Sequence, residues 1–283
     1  MKRINKISVI YSGSRKNDTI LTSIEKIINK TETEIISSVN VNSLNIRNKK
    51  RISEADLILV LGGDGTMIAS IRSLHTFNIP FLGINLGTVG FLTDLPISKI
   101  SNLEDILKGN YIQEKRPVYE TFTDIDKKET FLNEVVIHSG SVTKMLELEL
   151  SIQNQVIYNL RADGIIISSS TWSTAYSYSG GGPIISPKLD ALSLLPMFSH
   201  SSSSHSLLLS SKEEIKVKIK NKNLSGIQLI VDGKKNLKYK NEGLKVLSTK
   251  KTFKLYHPKD YNYFEACRTK LGWAVSIENL KQD

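Results

Sequence analysis

The sequence predicts an α/β domain at the N-terminus, followed by a β-rich domain. Strand-like and helix-like patterns alternate in the first third of the chain, and many strand-like segments follow Arg116-Pro117. A glycine-rich turn, Gly62–Thr66, directly follows a short apolar run. We therefore expect an α/β domain over residues 1–116 and a β-rich domain over residues 117–259, with a C-terminal helix within residues 260–283 that completes the first domain.

In the first domain, the spacing of apolar residues predicts each strand and helix. Residues 19–29 carry apolar side chains at helical spacing, and residues 56–61 form the nearly continuous apolar run of a strand covered on both faces of a parallel sheet. The predicted strands are Lys6–Tyr11, Glu34–Val41, Asp56–Leu61 and Pro80–Asn85, and the predicted helices are Thr19–Asn29 and Thr66–Phe77.

The second domain reads as a series of short strands. The predicted strands are Val118–Thr123, Thr130–His138, Met145–Ile152, Gln155–Tyr158, Gly164–Ser168, Glu214–Lys220, Ile227–Val231 and Leu244–Thr249. Ser173–Tyr178 is a short helix candidate, and the serine-rich stretch Ser199–Ser206 is expected to be a loop. A last helix is expected over Phe264–Trp273, packed on the first domain.

Composition and charge exclude several classes of protein. Apolar residues make up 40% of the 283 residues, as in folded domains. The single cysteine, Cys267, excludes an intramolecular disulfide and suits the reducing cytoplasm. No segment approaches the ~20 apolar residues of a membrane span. The net charge of +10 is spread over lysines interleaved with glutamates, so we expect small polyanionic substrates and no nucleic acid.

The turn after the third predicted strand has the composition of a phosphate site. Gly62, Gly63 and Gly65 let backbone N–H groups approach a ligand, and the following helix adds its positive end. Asp64 within this cradle suggests a group that takes a proton from an attacking hydroxyl or holds a divalent ion. The alternative is a tight turn in which Asp64 caps the helix. There is no P-loop motif.

Polar residues at strand ends form a second constellation. Asn133-Glu134 can contact a base or ribose edge, although alone it is also compatible with a surface turn. Arg161 and Asp163 suit a phosphate and a ribose hydroxyl, respectively, or an exposed ion pair. The small hydroxylated residues and glycines of Ser168–Pro183 suit a close wrap around a polar ligand.

Together these motifs resemble the bacterial NAD kinase family. The family pattern appears, in order, as Gly62–Gly65, Asn133-Glu134, Asp163-Gly164, Ser173–Tyr176 and Gly181–Ile184, with Asn85–Asp94, Val231–Gly233 and Lys270–Trp273 also fitting. The resemblance covers nearly the whole chain. It implies a Rossmann-like N-terminal domain of the NAD kinase/diacylglycerol kinase type and a β-rich C-terminal domain that binds NAD and forms a homodimer or homotetramer.

The resemblance also implies the reaction and the residues. ATP, with polyphosphate as the alternative donor, would supply the phosphoryl group for the adenosine ribose 2′-hydroxyl of NAD, giving NADP. Magnesium or another divalent cation would accompany ATP, and no protein metal ligand is assigned. Asp64 would be the general base. The implied NAD-binding residues are Asp64, Gly65, Asn133, Glu134, Lys144, Arg161, Asp163, Thr174, Ala175, Tyr176, Ser177, Tyr178 and Ser179.

Three positions depart from the family pattern. Trp172 replaces a glycine and is expected to narrow the NAD pocket, while His205 and Lys234 replace an arginine and a glutamine. Two alternatives therefore stay open at this point. One is a lipid or sugar kinase that shares only the cradle, and the other is an NAD-binding remnant without activity.

Overall fold

The computed structural model describes residues 2–13, 18–87, 90–123, 128–141, 144–201, 205–221, 226–237 and 243–274. The chain divides into two compact units. Unit 1 comprises Met1–Lys115 and Phe253–Asp283, and unit 2 comprises Arg116–Thr252.

The secondary structure agrees in kind with the pattern of the sequence. The strands are β1 (Lys6–Tyr11), β2 (Glu34–Asn40), β3 (Leu57–Leu61), β4 (Phe81–Asn85), β5 (Leu95–Pro96), β6 (Ile112–Thr123), β7 (Lys128–Phe131), β8 (Glu134–His138), β9 (Leu146–Ile152), β10 (Gln155–Ala162), β11 (Gly164–Ser169), β12 (Ala191–Met197), β13 (Leu207–Ser210), β14 (Ile215–Ile219), β15 (Gln228–Val231), β16 (Lys235–Leu237) and β17 (Leu244–His257). The α-helices are α1 (Asp18–Thr31), α2 (Ile46–Ile52), α3 (Asp64–Leu74), α4 (Asn102–Leu107), α5 (Tyr176–Ser179) and α6 (Tyr263–Leu271).

Unit 1 is built on a parallel sheet with the strand order β4-β3-β1-β2. Every residue of β3 and β4 is buried, as expected for strands covered on both faces. Helix α1 contributes Ile24 and Ile28 to the core that contains Ile7, Val9 and Leu57. Because the strands are parallel, the segments that follow β1, β3 and β4 lie at the same edge of the sheet.

Unit 2 contains antiparallel strands in two sheets. The sheet β13-β12-β11-β8-β15-β16 has six strands, and β9 pairs with β10 and β14, which in turn pairs with β17. Alternate residues of β8 and β11, such as Val135 and Ile167, share one core with Leu148, Leu150 and Val217. The predicted fold class is confirmed: unit 1 is an α/β layer and unit 2 is β-rich.

One predicted strand is wrong in its extent. The segment Thr130–His138 contains two strands, β7 and β8, separated at Leu132 and Asn133. The backbone N–H groups of these two residues donate to the Asp232 carboxylate, at 3.2 and 2.9 Å, instead of continuing one ladder. The sequence pattern also missed the strands β5, β12, β13 and β16 and the helices α2 and α4. Among the described residues, no helix is long and apolar enough to span a membrane.

Candidate active site

The glycine-rich turn connects β3 to α3 in a conformation that needs glycine. Gly62 has a φ of +151°, and a Cβ there would lie 2.7 Å from Thr66 Oγ1. The Gly62 N–H donates to the Ile84 carbonyl at 3.0 Å, which holds the turn against β4. Gly63 and Gly65 are exposed, so their backbone is accessible at the start of α3. The positive end of this helix is suited to an anion.

The Asp64 carboxylate is held by a second loop. Asp64 Oδ2 accepts the Phe91 N–H at 2.7 Å, and Oδ1 accepts the N–H groups of Leu92 and Thr93 at 3.1 Å and the Thr93 hydroxyl at 3.0 Å. Gly63 occupies the N-cap position of α3 and Asp64 is its first residue, so the alternative in which Asp64 caps the helix is wrong. The carboxylate is therefore held in one orientation by contacts within the protein.

The four hydrogen bonds are unevenly divided between the two carboxylate oxygens. Oδ1 receives three donors and Oδ2 receives one. Since a carboxylate oxygen accepts about two hydrogen bonds, Oδ2 of Asp64 is the atom with room for a further donor.

The loop that holds Asp64 is itself braced. The Thr93 hydroxyl accepts Asn85 Nδ2 at 2.8 Å, which ties the loop to the end of β4. A Cβ at Gly90 would lie 1.9 Å from Asp64 Oδ1, so no larger residue fits there unless the carboxylate moves. Lys270 Nζ donates to the Gly90 carbonyl and lies 4.4 Å from the centroid of the Phe91 ring.

Lys270 is a partly buried cation beside this carboxylate. Burial lowers the pKa of Lys270, and the nearby carboxylates of Asp64 and Asp94 act in the opposite direction. The ammonium therefore balances part of the negative charge gathered around the loop.

In unit 2, a row of polar side chains crosses the six-stranded sheet. Ser193, Ser168 and Glu134 are directly opposite one another on β12, β11 and β8. Directly paired residues of antiparallel strands point to the same face, so the three side chains share a face. The Asp232 N–H donates to the Glu134 carbonyl at 3.0 Å and continues the row beyond β15.

Several buried polar atoms in this region have no hydrogen-bond partner within the described part of the chain. They are Asn133 Oδ1, Glu134 Oε2 and the hydroxyls of Ser168, Thr171, Thr174, Ser177 and Ser193. Buried polar atoms without partners are costly and rare. Burial, and secondarily the charge of Asp232, raises the pKa of Glu134 to about 7. A polar ligand that hydrogen-bonded to these atoms would relieve that cost.

The segment after β11 carries Thr174 and Ser177, and helix α5, which contains Ser177, packs against β11. The backbone N–H of Ser169, the last residue of β11, donates to the carbonyl of Asn133, the residue before β8, at 2.7 Å. The hydroxyl of Ser173 is paired with the backbone of Ile185, so it fixes the segment and is not available to a ligand. In and beside α5, Ala175 and Tyr178 are partly exposed, whereas Tyr176 and Ser179 are exposed.

Three other predicted residues lie at the opposite end of β11. Gly164 pairs with His138, four residues from the pair formed by Ser168 and Glu134, a separation of about 13 Å at ~3.3 Å per residue. Asp163 precedes Gly164, Arg161 lies 3.8 Å from Glu147, and Lys144 is exposed before β9. Asn133 and Glu134 therefore lie at one end of the β8–β11 pair, and Asp163 and Arg161 lie toward the other end.

The three departures from the family pattern have different surroundings. Trp172 is 5% exposed, and its carbonyl accepts the Ala175 N–H at 3.1 Å. Lys234 and His205 are exposed. Among the described residues, no group of three or more His, Cys, Asp or Glu side chains is arranged to hold a metal ion.

Sequence reasoning missed the supporting residues of both regions. The sequence identifies Asn85, Gly90, Thr93 and Asp232 only as members of the motifs Asn85–Asp94 and Val231–Gly233. Their roles depend on contacts between segments that are far apart in the chain, which no local pattern reports. The small polar residues Ser168 and Ser193 at strand ends were the available signal for the polar row.

Two family models match the chain. A model described as the ATP-NAD kinase N-terminal domain matches residues 8–111, and one described as the ATP-NAD kinase C-terminal domain matches residues 132–257. The NAD kinase of Wigglesworthia glossinidia brevipalpis is 42% identical over 249 residues, covering 86% of this chain and 84% of that protein. The NAD kinase of Marinobacter nauticus is 40% identical over 244 residues and covers 83% of each chain.

Two solved structures share the fold. An NAD kinase from Archaeoglobus fulgidus in complex with ATP has a TM-score of 0.74 and 23% identity, covering 94% of this chain and 97% of that chain. Yeast NADH kinase complexed with NADH has a TM-score of 0.78 and 19% identity, covering 98% and 90%.

Proposed function

Because this chain belongs to the ATP-NAD kinase family, we propose that it transfers a phosphoryl group from ATP to the adenosine ribose 2′-hydroxyl of NAD. The products are NADP and ADP. The single observation that carries the assignment of roles is the Asp64 carboxylate, which four hydrogen bonds orient beside a glycine-rich helix start. Family membership disfavours the lipid or sugar kinase that shares only the cradle.

Asp64 acts as the general base in this proposal. Its Oδ2 takes the proton as the 2′-oxygen forms a bond to the γ-phosphorus of ATP, and the bond from that phosphorus to the bridging oxygen of the β-phosphate breaks. ADP leaves with the electron pair of that bond. The loop over residues 91–93 keeps the carboxylate in one orientation, so little rearrangement is needed during the reaction.

Unit 2 supplies the groups that recognise the dinucleotide. Asn133 and Glu134 are proposed to contact the adenosine part of NAD, because their side-chain oxygens are buried without partners in the described residues. Thr174 and Ser177 add hydroxyls, and Ala175, Tyr176, Tyr178 and Ser179 line the same segment. Arg161, Asp163 and Lys144 are proposed to contact the parts of NAD farther from the adenosine.

The backbone of Gly62, Gly63 and Gly65 is proposed to cradle phosphate groups at the positive end of α3. Magnesium is proposed to enter with ATP as part of the substrate, where it neutralises phosphate charge. A cytoplasmic location and a homodimer or homotetramer are proposed as well, on the family resemblance alone.

The test is an assay of NADP formation by the purified chain. The protein is incubated with NAD, ATP and magnesium, and NADP is measured with an NADP-specific dehydrogenase. We expect NADP to accumulate with equimolar ADP. Polyphosphate in place of ATP tests the donor, and a sugar or diacylglycerol in place of NAD tests the acceptor. A folded preparation that binds NAD and forms no NADP would instead support the remnant without activity.

A further inference from the structure

A buried histidine in unit 1 lies between two carboxylates near the Asp64 loop. The His257 side chain is fully buried, with Nδ1 2.8 Å from Asp94 Oδ2 and Nε2 3.1 Å from Glu114 Oε2. Its ring stacks on Tyr261 at a centroid distance of 3.9 Å and an angle of 9°. Each ring nitrogen is within hydrogen-bond distance of one carboxylate oxygen, so the imidazole is held from both sides.

The histidine is connected to Asp64 through one short loop. Phe91, Leu92 and Thr93 donate their N–H groups to Asp64, and the next residue, Asp94, is bonded to His257. Each end of the segment over residues 91–94 therefore has a fixed partner. If Asp94 moved, the backbone N–H groups of residues 91–93 would move with it, because they are only one to three residues away in the chain.

The loop has little room to adjust to such a shift. The Gly90 N–H donates to the Thr93 carbonyl at 3.1 Å and closes a tight turn, and the Asp64 carboxylate fills the space in which a Cβ of Gly90 would lie. Lys270 holds the Gly90 carbonyl from the side of α6. His257 and Lys270 both belong to the C-terminal part of the chain, so this part braces the loop at both ends.

We propose that His257 is a positioning residue for Asp64. It anchors Asp94, and through Asp94 it fixes the N–H groups that orient the catalytic carboxylate. The proposal rests on the proposed function for its effect on turnover, but its effect on the loop can be measured without turnover. His257 itself touches neither substrate in this account.

The test compares His257→Gln with wild type in two measurements. Steady-state kinetics should show kcat lowered by about tenfold or more, because small misplacements of a catalytic group are costly, with KM for NAD changed by less than about threefold. Hydrogen–deuterium exchange should be faster in the peptide over residues 90–95 and unchanged in β3. Lys99→Ala, which removes the exposed Lys99–Asp260 pair, is the control and should change neither measurement.

The outcomes separate the proposal from the function. If His257→Gln folds and keeps kcat within about twofold of wild type, or if exchange over residues 90–95 is unchanged, the positioning role is wrong. If wild type forms no NADP while exchange over residues 90–95 still rises in the variant, the proposed function is wrong but the positioning of this loop by His257 is supported. If His257→Gln does not fold, Asp94→Asn carries the same two measurements and is judged by the same limits.

Discussion

Two carboxylates in this chain are placed in opposite ways. Asp64 in unit 1 accepts four hydrogen bonds from a braced loop. Glu134 in unit 2 is buried, its Oε2 has no partner among the described residues, and burial together with Asp232 raises its pKa to about 7. The carboxylate of Asp64 is held by the protein, whereas one oxygen of Glu134 has no partner among the described residues.

In the proposed function, this difference separates the residue that acts on the reacting hydroxyl, Asp64, from a residue that recognises NAD, Glu134. A group that acts on a reacting atom benefits from an environment that needs no rearrangement. A buried polar group adds most to substrate binding when it has no hydrogen-bond partner in the free protein. The substrate then supplies the partner and removes the desolvation cost of that group.

The largest expected effect comes from crowding the Asp64 carboxylate. Gly90→Ala places a Cβ 1.9 Å from Asp64 Oδ1, so we expect kcat to fall by about a hundredfold, as for other small displacements of catalytic groups. Gly87→Ala in the same segment is the control, because its Cβ would meet nothing within 4 Å. Equal kcat values for the two variants would show that the orientation of Asp64 is unimportant.

The raised pKa of Glu134 predicts a pH-dependent cost. An acid whose pKa is higher in the folded state than its ordinary value of 4.5 destabilises the fold as pH rises from that value through about 7. In wild type without ligand, the free energy of unfolding should therefore fall relative to Glu134→Gln between about pH 5 and 8. Because Glu134 is buried, no discount for solvent screening applies, and we expect a fall of about 2–3 kcal/mol over this range. Urea unfolding of both proteins across this range measures it, and parallel pH profiles would contradict it.

The same substitution should weaken NAD binding. Glu134→Gln replaces a charged acceptor by a neutral one, so we expect the Kd for NAD to rise about tenfold at about pH 8.5, where the glutamate is ionised. Isothermal titration calorimetry measures the Kd. Glu213→Gln, at a partly exposed position of unit 2, serves as the control. An unchanged Kd in Glu134→Gln would remove Glu134 from the NAD site.

The smallest effect concerns a hydroxyl of the polar row. Ser168→Ala removes a buried hydroxyl that has no partner among the described residues, so the free energy of unfolding without ligand should rise by about 0.5 kcal/mol while the Kd for NAD rises about threefold. Ser173→Ala removes a hydroxyl paired with Ile185 at 2.8 Å and should instead lose about 1 kcal/mol. Destabilisation of the same size in both variants would mean that the Ser168 hydroxyl has a partner in the free protein.

Much of the fold followed from local patterns. The buried runs of β3 and β4 and the helical spacing of α1 predicted the α/β layer, and the family resemblance is confirmed by the matches to both domains. The prediction of one strand over Thr130–His138 failed because the interruption at Leu132 and Asn133 depends on Asp232, about a hundred residues away. Propensity and periodicity carry no information on such a contact.

The candidate site, like the fold, could be predicted from the sequence only in part. The motif containing Asp64 was visible because its glycines are adjacent in sequence. Its support by Thr93, Gly90 and Lys270 was not, because these contacts depend on the packing of a loop and a C-terminal helix. The roles of the predicted NAD-binding residues stay predictions, and so does the expected narrowing of the pocket by Trp172.

The most direct test of the central claim is a paired measurement of kcat and of the Kd for NAD in Asp64→Asn. Asparagine keeps the size of the side chain and one carbonyl acceptor, but it cannot take the proton. The account predicts that kcat falls by about 10²–10⁴-fold while the Kd changes by less than about threefold and the melting temperature is retained. A folded Asp64→Asn variant that forms NADP at a rate within tenfold of wild type would contradict the account.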